Sequence, residues 1–180
     1  MSIEELKYPI GEYHPDKNPD QQTLELWISE IESFPSRLNQ EVENLGLEAL
    51  NWRYRPEGWT IKQVVHHCAD SHLNSIMRFK LALTEDAPII RPYDEASWAE
   101  LEDGQYDDLT VSLKFIKALH AKWVKLLKTL NKEDLNRVFL HPEHGAIFNL
   151  AETIGNYAWH GNHHLAHIRN ALKYQGKFPK

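Results

Sequence analysis

The segment Trp159-His160-Gly161-Asn162-His163-His164-Leu165-Ala166-His167 carries four imidazoles within eight residues. Two histidines four apart on a helix project from one face at neighbouring heights and can grip one ion. His160/His164 and His163/His167 both have that spacing. Helical phase, about 100° per residue, separates them. The apolar stripe Leu150, Ile154, Tyr157, Gly161, Ile168 and Leu172 takes in His164 and has His160 at its edge, whereas His163 points well away. The buried pair is therefore expected to be His160 with His164, and Gly161 on the same face allows a neighbouring helix or a ligand to approach closely.

Two protein ligands rarely hold a catalytic zinc-like ion, so a third is expected from another helix. His66, His67, His72, His120, His141 and His144 are the candidates. His72 and His120 fall on the apolar stripes of their segments, where a hydrogen-bonded core histidine is the plainer expectation. His66 and His67 flank their stripe on opposite sides, and periodicity does not choose between them. Asp70-Ser71-His72 point in different directions along a helix and cannot form a nucleophilic triad among themselves. Cys68 falls on an apolar stripe and reads as an inert buried thiol.

Four helices are expected to position these groups. The first is predicted from the cap Asn18 and Pro19, through Leu24, Trp27, Ile31, Phe34, Leu38, Val42 and Leu45, to Gly46, with a kink at Pro35. The second is predicted from Ile61 to about Leu83. Thr60 and Gln63 form its capping box, and Trp59 and Val64 a hydrophobic staple. The third carries Leu109, Leu113, Ile116, His120, Trp123, Leu127 and Leu130, with Asp107 and Asp108 at its positive N-terminus. The fourth starts near Asn149, with Glu152 three residues on, and ends before Gly176. Two long connections, 84–107 and 131–148, separate them, and no segment reads convincingly as a strand. The first is acidic and proline-bearing, of a length that suits a lid, with Trp98 as a candidate lid contact. The expected fold is all-α, a four-helix bundle with two long connections in a single domain over 1–180, an architecture that builds metal sites from facing helices.

Composition narrows the function classes. The chain has 180 residues and a formal net charge of −6, from 20 Lys+Arg against 26 Asp+Glu. That balance argues against nucleic acid or an anionic membrane, both of which need a positive patch. No apolar run approaches the ~20 residues that span a bilayer, and no leader pattern opens the chain, so a cytoplasmic protein is expected. One cysteine cannot form an intrachain disulfide, which fits a reducing compartment.

Tyr8-Pro9-Ile10-Gly11, Trp59-Thr60-Ile61-Lys62-Gln63-Val64-Val65-His66-His67-Cys68-Ala69-Asp70, Arg91-Pro92-Tyr93, His141-Pro142-Glu143 and Trp159-His160-Gly161-Asn162-His163-His164 together resemble the YfiT branch of the DinB-like superfamily. The combination of the Trp59–His67 element with the late His-x-x-x-His is the specific part, and the resemblance covers nearly the whole chain. It implies a four-helix bundle that binds one divalent ion, zinc or nickel, through three histidines, in a family of metal-dependent hydrolases. By position the ligands would be His67, His160 and His164. The late pair agrees with the helical phase; His67 rests on the resemblance alone. A homodimer acting on a small-molecule substrate is implied as well.

Three histidine ligands leave an open position, the mark of a catalytic site. In the first reading the ion activates water for hydrolysis, with Asp70 or Glu143 as candidate base or partner of a ligand imidazole. Relatives of the family also include metal-dependent S-transferases that attach a low-molecular-weight thiol such as bacillithiol to electrophiles. That second reading calls for an anion- or sugar-binding group near the metal, for which Arg91, Arg53 and Arg78 are candidates. A third reading, a metal-stabilised binding module without catalysis, calls for a fourth ligand such as His163 or His72.

Overall fold

The computed structural model describes residues 2–143 and 145–178. In chain order the helices are α1 (Ile3–Lys7), α2 (Gln21–Val42), α3 (Leu47–Leu50), α4 (Ile61–Thr84), α5 (Glu95–Ala99), α6 (Thr110–Leu127), α7 (Lys132–Leu135) and α8 (Leu150–Tyr174). The strands β1 (Val138–His141) and β2 (Ala146–Asn149) precede α8. The long helices α2 and α4 each pack on both α6 and α8, which places α2 and α4 at opposite corners of a four-helix bundle.

The expected capping chemistry is present at two helix starts. Thr60 and Gln63 cap α4 reciprocally, and Asn149 and Glu152 do the same for α8. The start of α2 differs from expectation. Asp20, not Asn18, is its cap, its carboxylate accepting from the Thr23 N–H at 2.7 Å, while the Asn18 N–H donates to Asp16 Oδ1 at 3.0 Å. A carboxylate competes better than an amide for the positive end of the helix, and Asn18 goes to a turn instead.

The sequence reading also missed a hairpin. β1 and β2 pair antiparallel, Phe139 opposite Phe148 and Leu140 opposite Ile147. Two four-residue strands give too few alternating positions for a period to show, and their pairing is settled by tertiary contacts. Leu140 donates to the Pro88 carbonyl and accepts from Ile90, so the two long connections are stitched together. The first connection is not a bare lid. It contains α5 and a 3₁₀ turn at Glu102–Gly104, and Gln63 of α4 clamps it by donating to the Ala99 carbonyl at 3.1 Å and to Glu100 at 2.9 Å. Trp98 packs on Tyr93, ring centroids 4.5 Å apart, inside this connection.

Apolar side chains form two clusters. One includes Leu24, Ile28, Ile76, Phe79, Trp123, Ile154 and Ala158, the other Leu38, Val65, Ala69, Ile116, Leu165 and Ile168. A polar layer separates them: His72 falls between Ala69 and Ile76 on α4, and His160 between Ala158 and Leu165 on α8. Gly161 sits in this layer against α2, where an added Cβ would lie 2.8 Å from the buried Phe34 ring. Gly161→Ala is therefore expected to destabilise the fold by about 1–3 kcal/mol through overpacking, read as a lower urea midpoint.

Candidate metal centre

His67 on α4 and His160 and His164 on α8 each offer one ring nitrogen to a common point, the three atoms lying within 4.8 Å of one another. His67 Nε2 and His160 Nε2 are 3.3 Å apart. Trp59, just before the α4 cap Thr60, packs over His67, ring centroids 4.7 Å apart. Burial lowers His67 to about 4, with a further push from His163, and takes His160 and His164 well below the ordinary histidine value, with neighbouring imidazoles adding to the effect. All three are thus held neutral, the form that ligates a metal.

The remaining buried histidines explain which nitrogen each late histidine leaves bare. Pro35 has no N–H to give to the Ile31 carbonyl one turn earlier, and His120 Nδ1 reaches that oxygen at 2.7 Å. A carbonyl only accepts, so Nδ1 of His120 carries the proton and its Nε2 has the lone pair. His72 Nδ1, 2.7 Å away, must then donate, and its own Nε2 accepts from His160 Nδ1 at 3.1 Å. His160 is left with a bare Nε2. A second, shorter relay does the same for His164: the Lys7 carbonyl accepts from His167 Nε2 at 3.0 Å, so His167 Nδ1 is the acceptor facing His164 Nδ1 at 3.4 Å. Both late histidines therefore turn an Nε2 lone pair away from their relays, and His160 presents it to His67. Burial keeps the relay members neutral, with His120 lowered to about 4 and His167 to about 3.

His163 corrects the expectation that the buried pair is His160 with His164: it is itself buried, whereas His160 is half-buried. It points away from the bundle core yet is buried, because the N-terminal arm covers that side of α8: Tyr8 lies 6.0 Å from its ring and Trp159 stacks on it at 4.4 Å. The arm is fastened by Tyr13 Oη donating to the Glu152 carbonyl at 2.7 Å and by Trp159 Nε1 donating to that of Gly11 at 3.2 Å. His66 faces the other way from His67, bonded to Ser112 and to the Tyr106 carbonyl.

A cleft of about 710 Å³ opens beside His160. Ser71, Arg78, Tyr93, Asn156 and Tyr157 line it, and Glu143 stands exposed at its rim. Ser71 Oγ is 3.4 Å from His160 Nε2, and burial raises the Tyr93 phenol far above its ordinary range. Of the expected site residues, Glu143 and His141 are brought to this cleft and Asp70 is not. Asp70 lies in a separate hollow with His66 and Asp103, where burial and then the Asp103 charge raise it to about 6. Arg53 donates to the Gly58 carbonyl and Arg91 is exposed, so only Arg78 of the three arginines reaches the cleft. His144 lies outside the described residues. Ser71 and Asn156 escaped the sequence reading as cleft residues, since a serine or an asparagine on a helix carries no spacing signal, and Tyr93 entered it only through the Arg91-Pro92-Tyr93 element.

The DinB superfamily model matches residues 30–168. The chain belongs to the DinB superfamily. YfiT of Bacillus subtilis (strain 168), provisionally named a metal-dependent hydrolase, is 44% identical over 176 residues, covering 98% of this chain and 99% of YfiT. A relative from Oceanobacillus iheyensis with the same kind of name is 48% identical over 167 residues, 93% of this chain and 96% of its own. The solved structure of B. subtilis YfiT, described as a four-helix bundle of unusual topology, superposes with a TM-score of 0.93 at 45% identity, covering 96% of this chain and 98% of that one. The DinB-like bundle expected from the sequence is the observed fold, and among the described residues no helix is long and apolar enough to cross a membrane.

Proposed function

We propose that this DinB-superfamily chain is a metal-dependent hydrolase that holds one divalent ion, zinc or nickel, on His67, His160 and His164. The observation that carries the reading is the pair of relays ending on the Ile31 and Lys7 carbonyls. They leave His160 and His164 with bare Nε2 atoms, and His160 Nε2 faces His67 Nε2 at 3.3 Å. A bare Nε2 on each late histidine is the form that takes up a cation, and with His67 close by the donor set fits a metal. A divalent ion with an open position supplies Lewis acidity that lowers the pKa of water from 15.7 to about 7. The protein's own groups then position the reaction. Ser71 Oγ and the Tyr93 phenol, which burial keeps protonated, offer hydrogen bonds at the cleft wall, and Glu143 at the rim is placed to take up a proton.

Against the non-catalytic reading, neither expected fourth ligand joins the group of three among the described residues. His72 uses both ring nitrogens on His120 and His160, and His163 stands apart from the group of three. Thiol S-transfer is favoured by one observation, the guanidinium of Arg78 in the cleft beside His160. The relatives' names weigh towards hydrolysis, and a cytoplasmic homodimer accompanies this reading.

Metal content by mass spectrometry on untagged protein, followed by product analysis on activated esters and electrophiles with and without a low-molecular-weight thiol, tests it. Near-stoichiometric metal with thiol-independent ester hydrolysis is the expected result. Thiol adducts as the only metal-dependent product would move the protein to the transferase reading, and a metal-replete preparation that retains no ion would overturn both.

A further inference from the structure

Among the described residues, Arg78 is a cation without a partner. It lies on α4 two turns beyond Ser71 and is the only lysine or arginine among the described residues lining the cleft. Among the described residues no hydrogen bond or ion pair reaches its guanidinium, and its Nε is shielded from solvent with nothing to donate to. A shielded, charged donor without an acceptor is costly, and folded chains rarely leave one unless a ligand completes it. Its neighbours have other duties. Glu152 accepts from the Asn149 N–H at the start of α8 and lies 3.9 Å from Lys17, and Asp94 accepts from Ser97 at the start of α5. Arg78 is also close enough for its charge to act on His160.

The shape and charge of the cleft narrow the ligand. The Nε edge of a guanidinium presents two parallel N–H groups that match the two oxygens of a carboxylate. Asp94, Glu95, Glu143 and Glu152 all line the same cleft, so a dianion such as phosphate meets more like charge than a planar monoanion does.

We propose that Arg78 anchors a carboxylate of the substrate in the cleft, holding the substrate's reactive bond beside His160. The proposal rests on the three-histidine reading for what is reacted, but anchoring itself needs no metal. Substrates of this enzyme are then small carboxylic acid derivatives, and neutral analogues of equal shape bind poorly.

The test is a titration followed on the Arg78 Nε–H resonance of ¹⁵N-arginine-labelled protein, metal-free and zinc-loaded, with propionate, propionamide and inorganic phosphate as probes. Propionate is expected to give a saturable shift in both forms, with propionamide and phosphate weaker by about tenfold or more. Arg78→Gln, followed by the heat of propionate binding, should lose about tenfold to a hundredfold in affinity while zinc content stays at the wild-type level; Arg78→Lys, which keeps the charge and loses the fork, should fall between. Equal binding of propionate and propionamide, propionate binding unchanged in Arg78→Gln, or binding seen only with zinc and indifferent to residue 78 would each overturn the anchor. Tighter binding of phosphate would overturn the carboxylate assignment. Failure to load zinc with propionate binding intact would instead sink the metal reading and leave the anchor standing.

Discussion

Replacing His160 by alanine is expected to lower zinc affinity by more than about 100-fold, and His72→Leu, which touches no metal, by roughly 10–100-fold. The first change deletes a donor. The second leaves His160 in place but takes away the acceptor 3.1 Å from its Nδ1. With nothing to hold the proton there, the imidazole is free to carry it on Nε2, the nitrogen that must be bare. His72→Gln offers an amide oxygen to His160 and an N–H to His120, and should restore much of the affinity. His163→Phe keeps the stack on Trp159 and should load metal normally. A competition titration against a chromophoric chelator gives the affinities. Long-range ¹⁵N spectra of the metal-free protein report the tautomer directly, the Nδ1–H form of His160 in wild type and in His72→Gln and a mixture in His72→Leu. A merely structural role for His72 would lower stability in both variants and leave the tautomer alone. Equal metal affinity in wild type and His72→Leu would remove the relay from the account.

The second large effect is acid unfolding of the metal-free protein. Burial lowers His67, His120 and His163 to about 4 and His167 to about 3, and lowers His72, His160 and His164 well below the ordinary value of 6.5. The unfolded chain takes up protons near 6.5 that the folded chain refuses. Stability is therefore fully present above that pH and is lost as pH falls from 6.5 towards 4. Each such histidine contributes a slope of roughly 1.4 kcal/mol per pH unit in that window, so several together exhaust a stability of about 5–15 kcal/mol within about two units. Asp70, raised to about 6, acts in the opposite sense, becoming more favourable as it is protonated, but it is one half-exposed group against many. The near-UV dichroism of metal-free protein should collapse between about pH 6 and 4.5, with saturating zinc shifting the transition to lower pH by mass action. An acid midpoint below pH 4 without metal would contradict the neutral histidine layer.

How much of this was legible in the sequence follows from which contacts are local. The four long helices rest on 3.6-residue periodicity and on caps such as Thr60 with Gln63, and both signals sit within a few residues of each other. The His160–His164 pair was readable for the same reason, since four residues on one helix fix their own geometry. His67 was not, because it and His66 stand symmetrically about their stripe. What tells them apart is remote: Ser112 and the Tyr106 carbonyl take His66, while Trp59 covers His67. The burial of His163 was hidden for a like reason, its cover coming from Tyr8. The relay was invisible too, because it joins α2, α4, α6 and α8 through residues that each look like an ordinary core histidine. Arg78 was one arginine among three candidates until the fold showed that Arg53 is engaged by its own loop.

The consequence of Pro35 reaches further than the kink for which a mid-helix proline is usually noticed. An isolated α2 would be better formed with alanine at that position by about 3 kcal/mol. Yet an alanine N–H would compete with His120 for the Ile31 oxygen, the fixed end from which the orientation of every later proton in the longer relay is set. Optimising this helix for its own stability, as a consensus or thermostabilising design would, therefore risks a better-folded protein whose His160 carries its proton on the wrong nitrogen for the proposed metal. The defect in one helix acts as a reference point for the proton positions of histidines on another.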